Sequence, residues 1–191
     1  MISVWGTGTD HVDLAACARR GITVANTLGV NAHAVAELAR AFGMTLLVTT
    51  AGTDRGRATA LGARHVPLQE LLTQSDVVSL HLRLTDATRA ILGRAQFALL
   101  KPTAYLVNTA RGALIDRDAL LDALEHERIA GAALDVFDEE PLPAENALRL
   151  LPNVVLTPHN AGVTPEVIAE GLRRAVENVQ RYLGVSELSE R

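Results

Sequence analysis

Three chemically complementary groups follow three successive apolar segments of the chain. Arg111 comes after AYLVN, Asp135 lies near the end of GAALDV with Glu140 shortly after it, and His159 comes after NVVLTP. A guanidinium can hold a carboxylate through two parallel hydrogen bonds. An imidazole, whose ordinary pKa is about 6.5, can exchange a hydroxyl proton, and a carboxylate beside it favours its protonated form. These residue types suit the oxidation of an alcohol next to a carboxylate, with a nicotinamide cofactor to carry the hydride.

Each of these residues also has a simpler interpretation. An arginine after a strand is often a surface charge, the EEP triplet can be a solvated turn, and a histidine after TP can cap the next helix. The catalytic interpretation is favoured because three strand ends in succession carry different groups that complement one another. Ligands of parallel sheets bind beyond the carboxyl ends of the strands, which is where all three groups are predicted to lie.

The elements that must position these side chains alternate between short apolar runs and longer amphipathic ones. The apolar runs have the pattern of parallel strands buried on both faces. They are ISVWG, ITVAN, TLLVTT, VVSLHL, AYLVN, GAALDV and NVVLTP. Helical stretches lie between them, and a long final helix is predicted from Thr164 to Tyr182. This alternation predicts one α/β domain built on a doubly wound parallel sheet.

Composition excludes several other classes of protein. Of the 191 residues, 48% are hydrophobic and 21% are charged, which is typical of a globular chain. The net charge of -4, without a basic run, gives no reason to expect a nucleic acid partner. Cys17 is the only cysteine and no Cys/His cluster occurs, so we expect no metal site and a reducing, cytoplasmic location. No apolar run approaches the roughly 20 residues of a membrane span, so no membrane partner is expected.

Four segments resemble the cofactor-binding half of the D-isomer-specific 2-hydroxyacid dehydrogenases. They are VVSLHLRLTDATRAIL, LLKPTAYLVNTARGALID, AALDVFDEEPLP and NVVLTPHNAG. The resemblance runs from about Phe42 to the last helix and implies a Rossmann-like fold. It also implies hydride transfer between a nicotinamide and a D-2-hydroxyacid or 2-ketoacid. By this resemblance, Arg111, Glu140 and His159 correspond to the catalytic arginine, glutamate and histidine of the family.

The same resemblance implies residues that bind the cofactor. Asp135 matches the position that meets the nicotinamide amide, and Thr109 and Ala110 match backbone neighbours of the nicotinamide ribose. An NAD-type site has an acid at the end of the second strand, whereas TLLVTTAGTDRGR has threonines there and arginines further on. Arg55 could receive the 2′-phosphate of NADP, although a solvated loop arginine is the simpler interpretation. Both NAD and NADP therefore stay open.

The amino-terminal segment resembles the substrate domain of that family instead. The loop from Trp5 to Thr9 matches one that lies close to the substrate carboxylate, which implies substrate binding by Gly6, Thr7 and Gly8. The resemblance divides the chain into a substrate-domain remnant at 1–30, a nicotinamide dinucleotide-binding domain at 31–184 and a tail at 185–191. Most of the substrate domain is missing from this match, and so is the arm through which the family dimerises. A homodimer is expected only in weakened form.

The join between these parts predicts a fused element. If ITVAN is a central strand of the cofactor sheet, Thr27, Gly29 and Ala32 take the three glycine positions of the GxGxxG fingerprint. Gly29 would then bind the pyrophosphate, and one continuous helix would run from about Asn31 to Phe42. An ordinary strand, turn and helix is the simpler interpretation of this segment, because threonine resists the backbone angles that the first glycine adopts.

Two functional interpretations follow. The catalytic trio favours a dehydrogenase. The missing fingerprint, substrate domain and dimer arm favour an inactive remnant or a non-catalytic partner subunit, because catalysis needs a closed cleft that orients the substrate and excludes water.

Overall fold

The computed structural model describes residues 1–4, 9, 12–26, 42–49 and 62–185. These residues form two compact units. The first unit contains the residues up to 26 together with those from 162 onward, and the second contains residues 42–161. The boundary predicted at residue 30 lies outside the described residues. The last helix belongs to the first unit, although the sequence assigned it to the cofactor domain.

The first unit is built on a strand, helix and strand. Strand β1 (Ile2–Val4) leads through helix α1 (Leu14–Arg19) to strand β2 (Val24–Asn26), and the two strands pair in parallel. Asp13 begins α1, because its side chain accepts a hydrogen bond from the Ala16 amide at 2.7 Å. Parallel strands need a crossover connection of this kind, which is usually a helix.

A long carboxy-terminal helix packs against the same two strands. It spans Pro165–Leu183, which agrees with the predicted final helix, and we number it α5 after the shorter helices of the second unit. It begins at Thr164, whose side chain accepts a hydrogen bond from the Val167 amide, and it ends at Gly184, which adopts a left-handed φ of 68°. Two hydrogen bonds to the strands add to this packing, from Ser3 Oγ to the Ala175 carbonyl and from Asn178 Nδ2 to the Asn26 carbonyl.

The pairing of β2 overturns the fused-domain interpretation. The ITVAN segment pairs with β1 in a separate two-stranded sheet and is not a central strand of the larger sheet. A strand of three residues has too few side chains to specify its partner, and β1 is the nearest strand in sequence. The proposed fingerprint at Thr27, Gly29 and Ala32 lies outside the described residues, as does most of the predicted helix. Its last residue, Phe42, lies in a turn.

The second unit contains a four-stranded parallel sheet. Its strands are β5 (Val77–Leu80), β6 (Tyr105–Asn108), β7 (Gly131–Leu134) and β8 (Val154–Leu156), in the order β5-β6-β7-β8. A separate parallel pair is formed by β3 (Leu47–Val48) and β4 (Arg64–His65). The four predicted strands from VVSLHL to NVVLTP are therefore confirmed, in their predicted parallel arrangement.

Helices connect these strands and cover the core. They are α2 (Leu68–Gln74), α3 (Arg94–Phe97) and α4 (Arg117–Glu125), with short 3-10 helices at Gly112–Leu114 and Ala147–Leu150. The core includes Leu72, Leu92, Leu106, Leu114 and Ile129, none more than 2% exposed. Packing of this kind makes the sheet a rigid base for the loops at its edge.

Burial of the sheet differs from the prediction. Side chains of β5 alternate between exposed and buried, and Val77, Tyr105 and Val155 are each at least 40% exposed. Only β7, which is central in the sheet, is buried along most of its length. The apolar runs therefore predicted the strands correctly, but the prediction that both faces of the sheet are buried was wrong.

Candidate active site

The carboxyl ends of β6, β7 and β8 meet at one edge of the sheet. The strands are neighbours and parallel, with Asn108 beside Leu134 and Leu134 beside Leu156 in the ladder. The loops that follow them therefore leave the sheet side by side. One of these loops carries Arg111, the next carries Asp135 and Glu140, and the last carries His159, as the sequence predicted.

The turn after β6 is held by a buried asparagine. Asn108 is completely buried, and its side-chain oxygen accepts a hydrogen bond from the Ala110 amide at 3.0 Å. Its Nδ2 donates to the Arg111 carbonyl at 2.8 Å. Both ends of one amide thus fix the turn that contains Thr109, Ala110 and Arg111. The Arg111 side chain donates from Nη1 to the Ala110 carbonyl at 2.6 Å.

Gly112 allows this turn to contact the loop after β7. A Cβ built on Gly112 would lie 2.2 Å from the Phe137 carbonyl carbon and 2.5 Å from the Asp138 nitrogen. Any side chain at position 112 would therefore collide with the neighbouring backbone. The absence of a side chain brings the Arg111 turn directly against the loop that carries Glu140.

Glu140 and His159 form a hydrogen-bonded pair. Glu140 Oε2 lies 2.7 Å from His159 Nδ1, and Glu140 Oε1 accepts a hydrogen bond from the Phe137 amide at 2.9 Å. This distance lies within the roughly 2.6 to 3.2 Å over which an acid–base pair forms a hydrogen bond. Both side chains are partly open to solvent, at 36% and 47% exposure. With Nδ1 donating to the carboxylate, Nε2 is the nitrogen left to exchange a proton.

Asp135 anchors the loop that carries His159. Its side chain is buried, and its two oxygens accept hydrogen bonds from the Thr157 hydroxyl, the Asn160 amide and the Ala161 amide. Burial by itself raises the pKa of the Asp135 carboxyl. The three hydrogen bonds and the nearby His159 outweigh that effect and hold the pKa below its usual value of 3.8.

Asp135, Thr109 and Ala110 are the described residues that could hold the nicotinamide end of a dinucleotide. An ionised carboxylate has about four acceptor positions, and Asp135 uses three of them within the protein, which leaves one for a carboxamide donor. The two side-chain hydrogen bonds of Asn108 hold Thr109 and Ala110 at the same rim. The rest of the predicted set lies outside the described residues, namely Gly6, Thr7, Gly8, Gly29 and Arg55.

Sequence reasoning missed the residues that hold this site together. Asn108, Gly112 and Thr157 are not of the residue types usually sought as catalytic groups. Their contacts can be identified only in the folded chain. A partial signal existed, because each of them directly follows or ends a predicted strand or lies next to a candidate residue. Within the described part of the chain, no group of three or more potential ligands could hold a metal ion. The helices in that part are all too short or too polar to cross a membrane.

A parallel sheet with such groups beyond its carboxyl ends is the arrangement of Rossmann-like nucleotide-binding domains. Residues 17–161 match the family model described as the NAD binding domain of D-isomer specific 2-hydroxyacid dehydrogenases. The match covers most of the chain. The chain therefore belongs to the D-isomer specific 2-hydroxyacid dehydrogenase family.

Named relatives agree with this membership. A glyoxylate reductase of Aeropyrum pernix is 46% identical over 148 residues, which cover 78% of this chain and 44% of that protein. The solved glyoxylate reductase of Paecilomyes thermophila superposes with a TM-score of 0.85 at 29% identity, covering 98% of this chain and 74% of that one. The chain thus spans less than half the length of the first relative.

Another relative reveals an internal difference in length. A glyoxylate reductase of Thermofilum pendens is 32% identical over 240 residues, covering 94% of this chain and 70% of that protein. The aligned region is longer than the 191 residues available here. Part of that relative therefore has no counterpart in this chain within the aligned region.

Proposed function

We propose that this chain forms the nicotinamide-binding part of a dehydrogenase that interconverts a D-2-hydroxyacid and its 2-ketoacid with NAD or NADP. The observation that carries the proposal is the Glu140–His159 pair at 2.7 Å, on the same rim as Arg111. Family membership supports the reaction class. The relatives named glyoxylate reductases make glyoxylate the first substrate to test.

Each residue of the trio has a distinct role in this proposal. When bound, the nicotinamide supplies or accepts the hydride. His159 Nε2 accepts the hydroxyl proton during oxidation and returns it to the carbonyl oxygen during reduction. Glu140 holds the imidazole through Nδ1 and stabilises its cationic form. Arg111 binds the substrate carboxylate, which keeps the reacting carbon beside the histidine.

The test is reduction of glyoxylate and hydroxypyruvate by NADH and NADPH, followed by nicotinamide absorbance. We expect turnover that falls roughly a hundredfold to ten-thousandfold in His159→Gln, the usual effect of losing a positioned acid or base. A matched control is His126→Gln, which changes an exposed histidine on α4's carboxyl end. Equal activity in His159→Gln and the unchanged protein would refute the assigned role.

A non-catalytic role is the second candidate. It is supported by the internal difference in length from the Thermofilum pendens relative. The predicted cofactor fingerprint also loses its supporting strand, because β2 pairs with β1. Calorimetric titration with NADH and NADPH separates the two candidates. Binding of neither cofactor by a cooperatively folded chain would favour a remnant or a partner subunit, and light scattering of the same sample measures whether the expected homodimer forms.

A further inference from the structure

The loop that carries His159 converges on one buried carboxylate. Asp135 Oδ1 accepts from the Thr157 hydroxyl at 2.5 Å and from the Asn160 amide at 2.9 Å, while Oδ2 accepts from the Ala161 amide at 3.0 Å. Asp135 is only 3% exposed. Thr157 precedes His159 in sequence, and Asn160 and Ala161 follow it. The Asp135 carboxylate therefore binds the loop on both sides of the histidine.

His159 itself has an unusual backbone conformation. Its φ is 54°, in the left-handed region that residues other than glycine rarely adopt. Such a conformation persists only when the surrounding structure imposes it. The two amides that follow His159 both point at Asp135, which requires the chain to turn sharply at that residue. The same turn brings Nδ1 to Glu140.

Thr157 is itself fixed before it reaches the carboxylate. Its amide donates to the Leu134 carbonyl at 3.0 Å, continuing the ladder between β7 and β8. The Asp135 amide donates to the Asn108 carbonyl at 2.9 Å, which ties the other partner to β6. Both members of the Thr157–Asp135 hydrogen bond are thus held by the sheet, and the loop is attached to a rigid base.

We propose that Asp135 and Thr157 are positioning residues, which hold His159 in its left-handed conformation so that its imidazole meets Glu140. Asp135 acts through the loop backbone, in addition to any contact with a nicotinamide. The catalytic consequence rests on the function proposed above, whereas the structural consequence can be measured in a protein without activity.

Three variants separate this role from simple stabilisation. Asp135→Asn replaces one acceptor oxygen by an NH2 donor, so at least one of the three donors loses its acceptor. Thr157→Val removes the hydroxyl at similar size, and Thr157→Ser restores it. Asp76→Asn is the matched control, because that carboxylate is 81% exposed at the opposite edge of the sheet, where it pairs with Lys101.

The first measurement is nuclear magnetic resonance of the cofactor-free protein. As the only substitution, Glu140→Gln should shift the His159 ring resonances, because the two side chains are in contact. We expect that response to disappear in the Asp135→Asn and Thr157→Val backgrounds and to persist with Thr157→Ser and Asp76→Asn. The Asn160 and Ala161 amides should also exchange with solvent at least about tenfold faster in Asp135→Asn. An unchanged response and unchanged exchange would overturn the proposal.

The second measurement is steady-state kinetics, if the unchanged protein turns over. We expect Thr157→Val to lower kcat about tenfold with little change in the KM for the nicotinamide cofactor, and Thr157→Ser to restore it. A raised cofactor KM with unchanged kcat would mean that the pair serves cofactor binding alone and would overturn the positioning role. Absence of all turnover would count against the proposed function only, since the resonance measurement still decides the positioning. If Asp135→Asn does not fold, the threonine pair carries the test.

Discussion

Replacing Gly112 by alanine should separate the two loops that form the candidate site. The added Cβ would meet the Phe137 carbonyl carbon at 2.2 Å and the Phe137 oxygen at 2.6 Å, where ordinary contact begins at 3.4 Å. Relief of the closest contact alone needs a displacement of about 1.2 Å. The atoms involved are backbone atoms, so rotation of a side chain cannot absorb the change.

Two effects should follow from this displacement. Insertion of a methyl group into a packed site typically costs about 1 to 3 kcal/mol of stability. The Phe137 amide also holds Glu140 Oε1 at 2.9 Å, and Glu140 in turn holds His159. A misplacement of about 1 Å at a catalytic group can cost on the order of a hundredfold in rate. We therefore expect loss of both stability and activity.

Two other glycines provide matched controls. A Cβ on Gly131 would lie 2.5 Å from the Asn153 carbonyl oxygen, at the amino end of β7 and away from the rim. Gly131→Ala should cost similar stability but spare the Glu140–His159 contact. A Cβ on Gly93 would have no neighbour closer than 3.6 Å, so Gly93→Ala should change stability by no more than about 1 kcal/mol.

Urea unfolding and ketoacid reduction, measured on the three variants, test this reasoning. If the chain lacks turnover, the response of the His159 ring resonances to Glu140→Gln replaces the rate. Unchanged stability of Gly112→Ala would mean that the loops yield without cost. Equal loss of site function in Gly112→Ala and Gly131→Ala would mean that general destabilisation, rather than the closeness of the two loops, explains the effect.

Three further predictions concern single side chains. Arg111→Lys should raise the ketoacid KM more than it lowers kcat, because an ammonium cannot reproduce the planar guanidinium fork. Steady-state kinetics of this variant and of His159→Gln measure the difference. A lower kcat with unchanged KM in Arg111→Lys would contradict the assigned role. The lowered pKa of Asp135 stabilises the fold above the unfolded-state pKa of about 3.9, so stability should fall as pH drops below about 4. Urea titrations should give a shallower fall for Asp135→Asn, and an identical pH profile would contradict the assignment. Asp116→Ala should cost about 1 kcal/mol by removing the acceptor for the Ala119 amide at the start of α4, whereas no change in the urea midpoint would mean that this cap contributes nothing.

Three short segments of the second unit carry most of the candidate site. Residues 108–112, 135–140 and 157–161 are fixed to each other by hydrogen bonds and by close backbone contact. All of them belong to the second unit, which contains its own sheet and core. The contacts that position the Glu140–His159 pair therefore lie within the second unit.

Local sequence determined the four strands of the larger sheet and the rim on which Arg111, Glu140 and His159 lie. Apolar runs and helical periodicity are properties of neighbouring residues, and parallel strands joined by helices must have their carboxyl ends at one edge. The shared rim could therefore be predicted from strand ends, whereas the 2.7 Å contact between Glu140 and His159 depends on the loops that follow the strands.

Tertiary structure decided the partners that no local pattern encodes. The ITVAN segment has the composition of a sheet strand anywhere, and only its pairing with Ile2–Val4 assigned it to the first unit. Asp135 resembled a cofactor contact, yet its partners lie 22 to 26 residues further along the chain. The local sequence does not show why residue 112 is glycine, because the reason is its close contact with the Phe137 backbone. Such contacts depend on which loops the folded sheet brings together, because they join residues that are distant in sequence.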